Sequence, residues 1–217
     1  MKIVRERWVF IMKRKFTKLA LAMGLSLSVV SVASAANFKD FDNFYWAKPA
    51  VDKLVAEGIV SGYKDGTFRP GKQVSRAEFV TMANKAFGKF NENAIVDFSD
   101  VHKYQWFYQQ VASAYQAGYV TGYQGKFAPN KPITRFEAAV MMARLLELDV
   151  TKVDTAQKLD DFNQIPVWAV GSVSALVDKK VMKGYTDNTF RGAKYITRAE
   201  AAVLIEQARA YLYGKLK

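Results

Sequence analysis

Three arginines carry the most pointed chemistry in this sequence. Arg76, Arg135 and Arg198 each follow a hydroxyl residue and stand two positions before a glutamate: Ser75-Arg76-Ala77-Glu78, Thr134-Arg135-Phe136-Glu137 and Thr197-Arg198-Ala199-Glu200. The Ser/Thr-x-x-Glu spacing predicts a capping box, in which the hydroxyl accepts from the amide of the third helical residue and the glutamate reaches back to the cap amide. The arginine is then the first helical residue, at the positive end of the helix dipole, where a cation is locally unfavourable. It makes sense if an anion is expected, since free amides and a guanidinium can converge on one carboxylate. The plainer alternative is an arginine that faces solvent or pairs with an acidic side chain of a neighbouring repeat. Glu78, Glu137 and Glu200 are read as structural.

Catalytic chemistry has little to stand on. There is no cysteine, and the single histidine, His102, lies outside any recurring motif. No nucleophile elbow, phosphate-cradling loop or metal-ligand cluster is visible, so no catalytic residue, metal or cofactor is expected. A carboxylate pair can hydrolyse a glycan, but the acidic positions that recur here are accounted for by caps and turns.

The arginine motif belongs to a larger repeat. Trp46, Trp106 and Trp168 fall at intervals of 60 and 62, and each is followed 16 residues later by Gly-Tyr: Gly62-Tyr63, Gly122-Tyr123 and Gly184-Tyr185. Between these markers run apolar stripes at helical spacing: Val51, Leu54 and Val55; Val111, Ala114 and Tyr115; Val173, Leu176 and Val177. Gly58 and Gly118 sit where such a helix would end in a left-handed residue; Lys180 replaces them in the third copy, so that terminus is expected to differ. Asp65-Gly66 and Asp187-Asn188 suit tight reversals. A second helix then starts at each capping box, with apolar runs at Phe79-Val80, Ala138–Met141 and Ala201–Leu204. Each unit reads as helix, glycine-rich turn, helix. One such unit cannot bury its own apolar stripe, so the three must pack on one another. The fold class is all-α with short irregular connections.

The N-terminal segment reads differently. A basic stretch from Met12 to Lys18, a charge-free apolar run from Leu19 to Val32 and the small residues Ala33-Ser34-Ala35 form the pattern of a secretory leader, residues 1–35. The apolar run is too short for an ordinary spanning helix. Residues 1–35 hold seven basic groups and one acidic group, so the precursor's +12 falls to 25 Lys and Arg against 19 Asp and Glu, a net +6. That charge, without an arginine-rich block or zinc-finger spacing, suits attraction to an anionic polymer and gives no case for nucleic acid. An exported chain without cysteine relies on a packed core for stability.

The stretch DFDNFYWAKPAVDKLVAEGIVSGYKDGTFRPGKQVSRAEFV closely resembles a surface-layer homology (SLH) repeat. The shared pattern is an Asp before an aromatic-Trp-Ala opening, then Gly-Ile-Val-x-Gly-Tyr, Asp-Gly-Thr-Phe-x-Pro and Thr-Arg-Ala-Glu. Residues 36–88 form the first repeat, 98–148 the second and 159–217 the third with a short tail, joined by linkers at 89–97 and 149–158. The resemblance implies a pseudo-threefold spindle whose inter-repeat grooves bind an anionic, pyruvylated secondary cell-wall polysaccharide linked to peptidoglycan, at the cell wall or cell surface. The alternative is an assembly role, with surface-layer or envelope proteins as partners. Candidate ligand residues are Arg76, Arg135 and Arg198, with Trp46, Trp106 and Trp168. The tryptophans are read first as packing and second as groove lining. Gly62, Gly122 and Gly184 are read as turn residues with unusual backbone angles, and the resemblance adds close approach of ligand. Asp40, Asp100 and Asp161 are read as caps of the first helix or acceptors from sugar hydroxyls. Several positions depart from the pattern. Repeat 2 is one residue shorter between Tyr123 and Phe127 and lacks the turn Asp, Phe136 stands for Ala, and Gly192 stands where Pro70 and Pro129 are found. Unequal grooves are therefore expected, with the one involving repeat 2 the odd one out.

Overall fold

A computed structural model describes residues 38–215; the predicted leader lies outside the described residues. The six α-helices among these residues are α1 (Lys48–Ala56), α2 (Arg76–Phe87), α3 (Tyr108–Gln116), α4 (Arg135–Leu145), α5 (Val167–Asp178) and α6 (Arg198–Lys215). Each repeat contributes one pair, and no strand longer than an isolated bridge occurs among the described residues.

The second helix of each pair starts where the sequence predicts. The Glu78 amide donates to Ser75 Oγ at 3.2 Å, and the Ser75 amide donates to Glu78 Oε2 at 2.7 Å. The same reciprocal pair joins Thr134 to Glu137 and Thr197 to Glu200. Along the first helices Val51, Leu54, Val111, Ala114, Val173 and Leu176 are fully buried, whereas Tyr115 is 48% exposed. The stripe is therefore two residues wide, and its third position lies at the edge of the core.

The repeats close into a ring. Helix α2 packs on α3, α4 on α5 and α6 on α1, so the second helix of each repeat covers the first helix of the next, and the last returns to the first. At the centre three buried residues hydrogen-bond in a cycle: the Ile133 amide to the Val74 carbonyl (2.9 Å), Ile196 to Ile133 (3.0 Å) and Val74 to Ile196 (3.1 Å). Outside it runs a second cycle, in which the amides of Arg76, Arg135 and Arg198 donate to the carbonyls of Lys131, Lys194 and Lys72. A third follows from Ala77, Phe136 and Ala199 to Pro129, Gly192 and Pro70. Buried backbone groups must be paired, and here each repeat pairs its helix start with its neighbour's loop. The α6–α1 seam adds ion pairs of Arg209 with Glu57 and Lys53 with Glu206.

Two expectations about backbone are corrected. Lys180 adopts the same left-handed conformation (φ 58°) as Gly58 and Gly118, so the third terminus does not differ. The surrounding packing outweighs the roughly 1–2 kcal/mol that this conformation costs a residue with a Cβ. Gly62, Gly122 and Gly184 are not in the positive-φ region. They are required because a Cβ would lie 2.9, 2.8 and 2.9 Å from the carbonyl oxygens of Thr67, Lys126 and Thr189 across the hairpin, and at Gly62 and Gly122 it would also strike the Phe38 and Phe98 rings.

Candidate functional site

Each arginine is held by the repeat that follows its own. The Nε groups of Arg76, Arg135 and Arg198 donate to the carbonyls of Phe127 (2.8 Å), Phe190 (2.9 Å) and Phe68 (2.9 Å). Each guanidinium lies over the ring of that same phenylalanine, 4.7, 4.8 and 4.4 Å from its centroid. Arg76 also donates to Glu137, Arg135 to the Lys183 carbonyl and Arg198 to the Ser61 carbonyl. Two of the five N–H groups of each guanidinium donate in these bonds, and Arg135 also lies 3.9 Å from the Glu200 carboxylate. Burial pulls all three groups below the ordinary arginine value, against the opposing pull of Glu137 on Arg76, Tyr185 and Glu200 on Arg135, and Tyr63 and Glu78 on Arg198. They stay charged, and a desolvated cation attracts an incoming anion more strongly than one in water.

The helix amides, by contrast, have no capacity left for an anion. The first two of each helix donate to the next repeat's carbonyls and the third to the capping hydroxyl. The expected convergence of amides and guanidinium on one carboxylate is corrected: an anion here meets side chains, not a helix N-terminus.

Asp40, Asp100 and Asp161 do not cap the first helices, whose caps Ala47, Phe107 and Pro166 carry no side-chain bond. Each instead grips two successive loop amides. Asp40 accepts from Phe68 and Arg69 (2.9 and 2.7 Å), Asp100 from Phe127 and Ala128 (2.9 and 2.8 Å), and Asp161 from Phe190 and Arg191 (2.8 and 2.7 Å). The second residue of each pair is a non-glycine at positive φ (56°, 57° and 52°), a strained conformation that the carboxylate fork stabilises. The phenylalanine carbonyl is thereby fixed toward the preceding repeat's arginine. Nothing in the sequence marked this role except the threefold recurrence of Asp and, 27 to 29 residues later, Phe.

The tryptophans are not core. Trp46, Trp106 and Trp168 are 56%, 63% and 59% exposed, which corrects the core reading, while Trp168 keeps an inter-repeat contact with Phe136. Trp168 lines a groove of about 670 Å³ together with Arg76 from repeat 1 and Gly122, Tyr123, Lys126, Lys131 and Arg144 from repeat 2. Trp46 lines another of about 370 Å³ with Arg135 from repeat 2 and Gly184, Tyr185 and Glu200 from repeat 3. Each of these grooves therefore draws on all three repeats: an arginine from one, a loop and helix from the next and a tryptophan from the third. Arg198 meets the corresponding loop of repeat 1, at the Ser61 carbonyl and the Tyr63 and Phe68 rings.

Two departures from the repeat pattern turn out to compensate each other. The Phe136 ring occupies the place where a Cβ on residue 192 would lie, so phenylalanine in repeat 2 requires glycine in repeat 3. The other two junctions pair alanine with proline at these positions, Ala77 with Pro129 and Ala199 with Pro70. Phe136 also meets Trp168 edge-on, with ring centroids 6.1 Å apart.

A closed ring of three helical repeats, with an arginine and an exposed tryptophan lining each of two grooves between them, defines a repeat-built helical module. The S-layer homology domain profile matches residues 37–80, 97–139 and 158–202, and the chain belongs to that family. It is 32% identical over 200 residues to the surface-layer 125 kDa protein of Lysinibacillus sphaericus, covering 90% of this chain and 17% of that protein. It is 32% identical over 182 residues to S-layer protein sap of Bacillus anthracis (82% and 22%), and 30% identical over 179 residues to an endoglucanase of Bacillus sp. strain KSM-635 (81% and 19%). The chain thus spans about a fifth of the length of these relatives.

Proposed function

We propose that this chain attaches to the bacterial cell wall by binding an anionic secondary cell-wall polysaccharide, with a ketal carboxylate of a pyruvylated sugar seated on Arg76, Arg135 or Arg198. The observation that carries this reading is the groove itself: a desolvated guanidinium flanked by a tyrosine and an exposed tryptophan. The tryptophans offer flat faces to pyranose rings. The three aspartates and three glycines contribute indirectly, by shaping the loop that meets the sugar. The module is non-catalytic. The segment matched here is shared by proteins named as an endoglucanase and as surface-layer proteins, and a common fifth of such different chains suits a tether better than the chemistry of either.

Retention of the purified protein on wall sacculi tests the reading. Binding is expected to disappear after hydrofluoric acid strips the wall polymer. Unchanged retention would favour the alternative, contacts with peptidoglycan or with surface-layer proteins. Export through a cleaved leader belongs to the same reading, and N-terminal sequencing of the wall fraction should begin at Ala36.

A further inference from the structure

The three grooves differ at one position with a chemical consequence. In repeats 1 and 3 the tyrosine of the Gly-Tyr pair is covered by cations, from its own loop and from the preceding repeat, whose Arg198 and Arg135 lie 5.2 and 5.0 Å from the Tyr63 and Tyr185 ring centroids. The Arg69 guanidinium lies 3.9 Å from the Tyr63 ring centroid and that of Arg191 lies 4.2 Å from Tyr185, each tethered to the turn aspartate, Asp65 or Asp187. The hydroxyls are engaged as well: Tyr63 accepts from Lys72, and Tyr185 donates to Glu200. Repeat 2 has lost both halves of the clasp together, since the turn aspartate is deleted and Ala128 stands in the place of the arginine. Tyr123 is accordingly 78% exposed, and no cation covers its ring and no side chain binds its hydroxyl among the described residues.

The deletion itself does not disturb the groove's frame. It is absorbed at the hairpin tip, where Gln124 and Gly125 both take positive φ (49° and 71°) as a two-residue turn demands. The Tyr123 amide still reaches the Lys126 carbonyl at 2.8 Å, as Tyr63 reaches Thr67 and Tyr185 reaches Thr189. What changes is the free aromatic face and the size of the groove as a whole, about 670 Å³ against 370 Å³ for the Arg135 groove.

We infer that the Arg76 groove has a second sugar subsite on the bare face of Tyr123, for an uncharged pyranose linked to the anionic one, and that Arg69 and Arg191 fill the equivalent place in the other grooves. A pyranose presents a flat apolar C–H face to stack on the ring, while its edge hydroxyls lie within reach of a polar rim that includes Gln124 and Lys126. The inference rests on the groove reading proposed above and refines it: one groove reads two sugars, the others one.

Titration of the protein, followed by the indole N–H signals of Trp168 and Trp46, reads the Arg76 and Arg135 grooves separately. The probes are the methyl glycoside of a 4,6-pyruvylated N-acetylhexosamine and the disaccharide in which it is joined to an unmodified N-acetylhexosamine. At Trp168 the disaccharide is expected to bind about 3–10-fold tighter than the monosaccharide, the worth of one aromatic stack; at Trp46 the two should match. Tyr123→Ala should abolish the preference at Trp168. Equal affinities at Trp168, or a preference that survives Tyr123→Ala, would overturn the second subsite while leaving the anion site intact. Failure of either probe to shift any indole would overturn both.

Discussion

The guanidinium groups tie neighbouring repeats together and, in the function proposed above, also hold the sugar's carboxylate; substitutions separate the two roles. Arg76→Ala, Arg135→Ala and Arg198→Ala remove a charged hydrogen-bond partner and should each weaken binding of a pyruvylated sugar at the affected groove by about 10–100-fold, roughly 1.5–3 kcal/mol, in calorimetry. Each also strands a loop carbonyl that was accepting from Nε, so a loss of stability on the order of 1 kcal/mol should accompany it in chemical denaturation. Lost stability with unchanged affinity in all three would leave the arginines as inter-repeat struts alone. The turn aspartates make a second residue-level prediction. Asp65 and Asp187 are held down to about 2 by the Thr67 and Thr189 hydroxyls and the Arg69 and Arg191 guanidinium groups. Because the folded value is depressed, their contribution is complete above the ordinary aspartate value and is lost as pH falls through about 2. Carboxyl-carbon NMR titration should place both midpoints there, and midpoints near 4 would show that the clasps do not persist in solution.

At the scale of the element, the capping boxes are the testable feature. Ser75→Ala removes the hydroxyl that the Glu78 amide donates to and should cost about 0.5–2 kcal/mol in denaturation. Thr134→Ala and Thr197→Ala should behave alike, since all three helix starts share one geometry. No measurable loss in any of them would show that the cross-repeat bonds of the first two amides suffice to fix the helix start. These helix starts were legible beforehand because a capping box spans four consecutive residues and depends on nothing further away. The conformation of Lys180 was not legible in that way, for local propensity disfavours what the packed helix end imposes on it. Polar matching inside the core was equally out of view. Asn84 is fully buried, accepts from the Tyr119 hydroxyl at 2.7 Å and donates to the Gln110 carbonyl at 2.8 Å, joining α2 to α3 across two repeats.

For the whole molecule, closure governs stability. An open array of repeats tolerates truncation, because each unit contacts only its neighbours. In a ring every unit has two neighbours, and removing one opens two interfaces. A chain ending at Leu148 would leave the Val74 amide without the Ile196 carbonyl and strip α6 from the buried face of α1. Such a fragment should show no sharp thermal transition by circular dichroism and poor amide dispersion by NMR. A cooperative transition would mean that two repeats suffice and that the ring bonds contribute little.

The sequence by itself determined the threefold repeat, the two helices of each unit, the capping boxes and the identity of the arginines at the groove base. All of these are written in patterns a few residues long or in their recurrence. Only the tertiary structure decided that Arg76 answers to repeat 2, Arg135 to repeat 3 and Arg198 to repeat 1, and that the helix amides are already engaged. It also decided that the aspartates are loop clamps, that the tryptophans face outward and that Phe136 and Gly192 share one space. The aspartate clamps close within one repeat, over 27 to 30 residues; the other pairings depend on which loop the closed ring brings against which helix start, over separations of 50 residues and more. Such pairings are selected by the joint packing of three copies, which no single copy encodes.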